Sequence, residues 1–448
     1  MKRRTVIKRI LRRDGAVARY CRARIAEAVF KAAAATGKPD RRLAETVARK
    51  VEVALTRTYA GDALPSVEDI QDIVENTLME SGQPQLARNY IIYRHQRAQL
   101  RAARAQPFEM SDIIPYRKIY EVLLWNINHK CDSAQALNRT IAKGRFPKLV
   151  AAAEQRYQEE VEQAAHLILD RTDPARMVLI AGPSSSGKTT TTIRLGEILR
   201  KHGIGLKAMC IDNYFFDLDL HPRDEFGDYD YETPRALDLR LINRHLEQLL
   251  AGKKIKTPQY DFKTGKRTLN AREMRLQKNE LLLIDSLHGL HKGMTRSVPD
   301  ECKIRLYVET LGQLRLNDGA FMRWADNRLL RRMIRDSRQR NSTPLQTLTH
   351  WHYVRTSELS HIIPFINTAD FVVNTALPYE LPILKNKLYR HFAKALREFA
   401  DDPARRDAYI RAKRVMEMLR QVKTVKDSSC VPTTSLFREF LGGSAYTY

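Results

Sequence analysis

The stretch Gly182-Pro183-Ser184-Ser185-Ser186-Gly187-Lys188-Thr189 constrains this chain more than any other. It fits the pattern G-x-x-x-x-G-K-[ST]. An apolar run, Met177-Val178-Leu179-Ile180-Ala181, precedes it, and a helical pattern, Thr190 to Arg200, follows. Phosphate binding needs a strand that turns through glycines into a helix. The glycines let backbone N–H groups close around phosphate oxygens, and the helix N-terminus adds a favourable dipole. On this pattern Gly182, Ser184, Ser185, Ser186, Gly187 and Thr190 line a cradle for ATP. Lys188 reaches its β- and γ-phosphates, and the Thr189 hydroxyl ligates Mg²⁺. A serine-rich surface turn does not explain Lys188 and Thr189 in register.

From Arg176 to about Leu396 strand and helix patterns alternate, which predicts an α/β domain with a doubly wound parallel sheet. The expected strands are Met177–Ala181, Leu206–Ile211, Glu280–Ile284, Lys303–Val308 and Asp370–Asn374, with helix or loop between them. Two strands end in acids. Asp212 follows the second, where a carboxylate accepts a hydroxyl proton or caps a turn. Asp285 follows the third, where its carboxylate holds Mg²⁺ directly or through water. The segment Arg328 to Arg340 is arginine-rich and helical. Arg328, Arg332 and Arg335 share a face, suited to closing over phosphates.

Residues 1–104 read as a separate unit. A strand pair, Val6–Ile10 and Val17–Tyr20, is joined by the turn signal Arg12-Arg13-Asp14-Gly15. Helical patterns follow over Arg24–Ala35, Leu43–Tyr59, Ser66–Ser81 and Gln85–Ala103, with Ser66 as N-cap of the third. Residues 105–175 read as a helical connector and 397–448 as a C-terminal helical extension.

Residues 1–104 resemble the ATP-cone, a regulatory nucleotide-binding module, through Arg12-Arg13-Asp14-Gly15, Arg24-Ile25, Pro65–Asp72 and Ala87–Arg94. Arg12 and Arg24 stand where that module usually has Lys. The resemblance implies that Arg12, Arg13, Arg24 and Ile25 serve an allosteric ATP or dATP. Residues 176–396 resemble the uridine kinase and phosphoribulokinase family. Four blocks match in order: the Gly182–Thr189 loop, Asp212–Phe215, Tyr231–Asp238 and Pro258–Phe262, followed by a lid-like Arg331–Arg340. Longer bacterial nucleoside kinases of this family share further blocks, among them Leu436–Ser444.

This second resemblance implies roles. Asp212 is the base for a nucleoside 5′-hydroxyl, and Glu232 holds the ribose hydroxyls. Tyr214, Tyr260 and Phe262 contact the nucleoside. Arg335 reaches the acceptor side, and Arg332 and Arg340 the phosphates. Three positions differ from the family pattern. Asp285-Ser286 replaces the usual Glu-Gly, Gly265 falls where uridine kinases carry a base-reading His, and Asn341 follows the lid where Gly is usual.

The chain has 448 residues, a formal net charge of +25 and 43% hydrophobic residues. Its basic residues are dispersed, without a Lys/Arg block interleaved with aromatics, so nucleic acid is not expected as the main partner. The five cysteines are scattered, matching neither a zinc site nor a disulfide frame. No signal peptide or run of about 20 apolar residues is evident, so a cytoplasmic protein without a membrane partner is expected. A homo-oligomer is expected. The expected activity is ATP-dependent phosphorylation of a pyrimidine nucleoside, uridine or cytidine. The rival readings are a kinase for a deoxynucleoside or other small hydroxyl substrate, and a non-catalytic nucleotide-sensing regulator.

Overall fold

The polypeptide forms two units, residues 1–110 and 111–448, each with its own apolar interior. The computed structural model describes residues 7, 9–11, 17–34, 40–59, 64–91, 94, 114–222, 233–340, 342–402 and 405–448.

The first unit opens with the antiparallel pair β1 (Arg9–Leu11) and β2 (Val17–Arg19), then α1 (Arg22–Ala34), α2 (Arg41–Thr58) and α3 (Val67–Glu80). Residues 84–91 form a further helix. Helix starts follow their caps. The Asp40 carboxylate accepts from Leu43 N, and Ser66 and Asp69 form a reciprocal capping box. The core comes from one stripe of each helix, with Val29, Val47, Val51, Leu55, Val74 and Leu78 all at 0–1% exposure.

In the second unit, α4 (Tyr116–Asn128), α5 (Ala134–Ala142) and α6 (Phe146–Leu169) lead into β3 (Met177–Ala181) and α7 (Lys188–Lys201). The chain continues through β4 (Gly205–Ala208), α8 (Leu239–Leu250), the hairpin β5 (Ile255–Asp261) and β6 (Lys266–Met274), then β7 (Glu280–Ser286) and β8 (Lys303–Glu309). It ends with α9 (Trp324–Gln339), α10 (Pro344–His361), β9 (Phe371–Asn374), α11 (Glu380–Glu398), α12 (Arg406–Arg420) and α13 (Arg438–Leu441). The sheet order is β4-β7-β3-β8-β9, and every pairing in it is parallel.

β3 is the central strand and all five of its residues are buried, as a parallel strand covered on both faces must be. Its side chains alternate between two cores. Val178 and Ile180 join a large one that runs from Cys131 to Phe440. Met177 and Leu179 join a second one with α8 and the hairpin. Residues of α5, α6, α11 and α12 and the terminal Leu436, Phe437 and Phe440 thus share one interior with the sheet.

All five expected strands are present, with two differences around them. β4 stops at Ala208, and a 3-10 turn, Ile211–Tyr214, follows. The β5–β6 hairpin was not anticipated. It holds Pro258 at a register shift between Thr257 and Gln259, where a strand proline is tolerated. Its second strand is almost wholly exposed and shows no apolar alternation.

Candidate functional site

Strands β3, β7 and β4 all open at their carboxyl ends toward one crevice, the usual ligand position in an open α/β sheet. The loop 182–187 leaves β3 there. At Gly182 a Cβ would stand 2.2 Å from the Val308 carbonyl oxygen of the neighbouring strand. Gly187 has φ +94° and packs against Leu436, so both glycines are required by backbone geometry. Gly182→Ala is therefore expected to destabilise this unit by about 1–3 kcal/mol through overpacking against main chain. A calorimetric melting temperature equal to wild type would refute that close approach.

The loop's carbonyls are tied down from outside. Arg328 Nη1 donates to Ser184 O at 3.3 Å, and Arg331 Nη1 donates to Ser185 O and Ser186 O at 3.4 and 3.3 Å. Thr375 Oγ1 donates to Ser186 O as well. A peptide carbonyl points opposite to the next N–H, so anchoring the 184 and 186 carbonyls outward turns the N–H groups of Ser185 and Gly187 inward. The buried Oγ atoms of Ser185 and Ser186 have no hydrogen-bond partner among the described residues. An inward-facing set of unsatisfied donors suits a polyphosphate.

Lys188 lies at the first turn of α7, and its ammonium donates to Gly182 O at 2.9 Å and Pro183 O at 3.4 Å. Burial lowers its pKa, while the charges of Asp285 and Glu439 oppose that shift. Thr189 is exposed beside it. Asp285 ends β7, with Thr192 Oγ1 donating to its Oδ2 at 3.4 Å. Burial raises its pKa, and Lys188 counters. A Mg²⁺ carried by nucleotide phosphates needs only one or two protein ligands, and the exposed Thr189 hydroxyl with the Asp285 carboxylate fits that demand.

Asp212 sits in the 3-10 turn after β4 and is open to solvent at the crevice. The surrounding protein nevertheless strips enough water from its carboxyl to raise the pKa, against the charges of Lys188 and Arg340. A carboxylate reachable from solvent and within the field of the loop lysine is suited to accept a proton from an incoming hydroxyl.

The arginine helix α9 divides its work. Arg328 and Arg331, at 1% and 0% exposure, are structural anchors. Arg328 pairs with Glu309 at 2.8 Å and with Glu358, and Arg331 pairs with Glu380 at 2.5 Å. Arg328 therefore does not join a free phosphate-facing surface, contrary to the sequence expectation. The acids that pair with Arg328 and Arg331, namely Glu309, Glu358 and Glu380, come from other elements and carry no sequence pattern of their own. Arg332, Arg335 and Arg340 are gathered by one buried carboxylate, Asp336, at 3.1, 3.3 and 3.7 Å. Arg332 also donates to Ser184 Oγ at 3.0 Å. Burial lowers the Arg335 pKa, and neighbouring Arg340 adds to that.

Beyond Asp212 lies an aromatic group. Phe215 and Tyr260 are 5.6 Å apart between centroids, Tyr260 and Phe262 are 5.0 Å apart, and Phe262 is 63% exposed. Asn213 Oδ1 accepts from Tyr260 N at 3.2 Å and so ties the Asp212 turn to β5. Tyr214 faces elsewhere. It is fully buried in the second core, which also holds Phe215 and Tyr260 at 8% and 6% exposure, and its hydroxyl is 2.8 Å from His245 Nδ1. Glu232, Arg12 and Arg13 lie outside the described residues. Arg24 is exposed on α1 and Ile25 is buried in the first unit's core.

One site residue had only a faint sequence signal. Glu439 Oε2 accepts from Thr190 Oγ1 at 2.7 Å and from Thr190 N at 3.3 Å. The N-terminus of α7 thus already carries an anion of this chain's own. Tyr448 OH lies 3.1 Å from the same Thr190 hydroxyl. The matching block Leu436–Ser444 was the only pointer to this.

Residues 177–379 match the family described as "Phosphoribulokinase / Uridine kinase family", and residues 8–99 match the "ATP cone domain". The chain is 29% identical over 195 residues to a uridine kinase of Deinococcus deserti, covering 43% of this chain and 84% of that protein. It is 30% identical over 165 residues to a uridine kinase of Halobacterium salinarum, covering 37% of this chain and 64% of that protein. A solved structure described as a possible uridine kinase from Bacillus stearothermophilus aligns with TM-score 0.34 and 18% identity, over 48% of this chain and 98% of that one. No helix among the described residues is long and apolar enough to cross a membrane.

Proposed function

The chain belongs to the phosphoribulokinase/uridine kinase family and carries an ATP cone domain before its kinase domain, and from that premise we propose that it transfers the γ-phosphoryl group of ATP to the 5′-hydroxyl of a pyrimidine nucleoside. The observation that carries this reading is the placement of Asp212. It stands between the charge of Lys188 and the aromatic group Phe215, Tyr260 and Phe262. A nucleoside whose base rests on Phe262, the exposed member of this group above the buried Phe215 and Tyr260, presents its hydroxyl toward Asp212 and the phosphates together.

Thr189 and Asp285 would hold a Mg²⁺ that arrives with the nucleotide, and the ion would supply neutralisation of phosphate charge. This chain's own groups do the rest. The inward N–H groups and Lys188 hold the phosphates in line, and Asp212 takes the hydroxyl proton. Arg332, Arg335 and Arg340, gathered by Asp336, lie ready to stabilise the moving charge. Glu232 is assigned to the ribose hydroxyls by its place in the Tyr231–Asp238 block. The test is a nucleoside panel with ATP and Mg²⁺, reading monophosphate formation. Turnover of uridine or cytidine is expected, and a panel without any product would overturn the reading.

The first unit regulates in this proposal. It has an independent core, its sequence holds no phosphate-loop pattern, and among its described residues none is an acid placed like Asp212. A nucleotide bound there biases the kinase only if it binds two states differently. A chain beginning at residue 111 is expected to keep kinase activity and lose its response to added ATP or dATP. Subunit contacts in a cytoplasmic homo-oligomer are the proposed route, with inhibition by dATP the expected sign. Calorimetry on residues 1–107 should detect ATP or dATP. Absence of binding at millimolar nucleotide would leave this unit a scaffold.

A further inference from the structure

Thr191 N donates to Gly187 O at 3.1 Å, the bond that closes the first turn of α7. The N–H groups of Lys188, Thr189 and Thr190 precede it and have no carbonyl partner within the helix, so they are the donors that a helix start offers to an anion. A nucleotide whose outer phosphates lie in the loop brings its α-phosphate toward this turn.

The last of these donors is already taken, and by an acid. Glu439 Oε2 accepts from Thr190 Oγ1 at 2.7 Å and from Thr190 N at 3.3 Å. One oxygen shared by the N–H and the hydroxyl of a single threonine is the arrangement a phosphate oxygen would adopt there. The pair is closed in, with Thr190 at 0% and Glu439 at 5% exposure. Tyr448 OH, itself 3.0 Å from Ser444 Oγ, stands 3.1 Å from the same threonine hydroxyl. A phosphate cannot reach Thr190 N while Glu439 keeps this place.

Capping alone does not select a glutamate. A glutamine oxygen would accept from Thr190 as well, without burying a charge. The carboxylate also stands in the field of a second one, Asp285, whose ionisation it opposes. The main chain that carries it is fixed. Leu436, Phe437 and Phe440 are at 0% exposure, and Arg438 Nη2 donates to Ser428 O and Val431 O at 3.0 and 2.7 Å. What can yield is the Glu439 side chain, by rotation.

We propose that Glu439 is an autoinhibitory stand-in for the α-phosphate of ATP. Its carboxylate holds the start of α7 in the resting protein and turns away when the nucleotide seats, so its removal should tighten donor binding. The contact also reaches the arginine helix. Arg338 Nη1 donates to Phe440 O at 3.1 Å, and the Arg331 guanidinium lies 5.1 Å from the Phe440 ring centroid. The inference rests on the ATP-donor reading above.

The test is calorimetric binding of ATP with Mg²⁺ to the full chain, without a nucleoside, for wild type and Glu439→Gln. The variant keeps the shape and the accepting oxygen and removes the charge. It is expected to bind ATP about 10-fold tighter or more, the worth of one charge-assisted hydrogen bond that no longer competes. Its melting temperature without nucleotide should change little, because the cap persists. Unchanged affinity would overturn the proposal and leave Glu439 a structural cap. Weaker binding would overturn it too, by making Glu439 a group that helps to hold the donor. A crystal structure of the wild-type chain with ATP and Mg²⁺ decides independently of how the variant folds. Glu439 is expected to have left Thr190 N, and a carboxylate still bonded there beside a seated triphosphate would overturn the assignment. If wild type binds no ATP at all, the donor reading itself falls, and this inference with it.

Discussion

Lys188→Ala is expected to lower kcat by about 10²-fold or more, with the fold retained. The ammonium rests on the Gly182 and Pro183 carbonyls in the free protein. It supplies positive charge to the phosphoryl group in flight, and the protein packed around the ammonium makes that charge count for more than in solution. The fold should survive because the loop carbonyls are held independently by Arg328, Arg331 and Thr375. Removing the ammonium leaves the Asp285 and Glu439 charges without the cation between them. The already raised Asp285 pKa should then rise further. Lys188→Arg should rescue poorly, since a planar fork does not replace a compact point charge in a cradle of this size. Single-turnover transfer and circular dichroism decide it. A folded variant with near-normal rates would remove the phosphate-loop assignment.

The central machinery was legible because local pattern and chemistry coincide there. β3 is five buried apolar residues followed by glycines whose geometry only glycine meets, and Asp285 ends an apolar strand. Ser66 announced its helix because a cap acts within three residues of itself. The hairpin was not legible. β6 is too exposed to show alternation, and among the described residues β5 is the one strand it pairs with. Arg328 and Arg331 read as a basic surface because their acids Glu309, Glu358 and Glu380 come from three other elements. Tyr214 was assigned to the nucleoside from a block, whereas the direction of its side chain depends on a 3-10 turn and on His245, 31 residues away. Glu439 is the extreme case. It meets Thr190 across 249 residues of sequence, and only tertiary packing of Leu436, Phe437 and Phe440 brings it there.

Asp212→Asn is expected to reduce kcat by roughly 10²–10⁴-fold while ATP still binds. Asparagine keeps the size and polarity of the side chain but takes no proton. The side chain makes none of the bonds that hold the phosphate loop, so the ATP KM should move little. The pH dependence supplies a second, independent reading. Protein around the Asp212 carboxyl raises its pKa above the ordinary 3.8, with Lys188 and Arg340 opposing. A base must be deprotonated to act, so wild-type kcat should fall as pH drops through that raised value and hold level above it. The variant has no carboxyl to titrate, and its residual activity should lack this acid limb. Protein that merely unfolded in acid would lose both activities together, so ellipticity across the same pH range separates the two causes. If the variant keeps kcat and only the nucleoside KM rises, Asp212 orients the substrate by hydrogen bonding, and the proton leaves by another route. If kcat falls but the acid limb persists, the limb belongs to a different carboxylate. Asp285, also raised by burial and coupled to Asp212, is then the group to replace next.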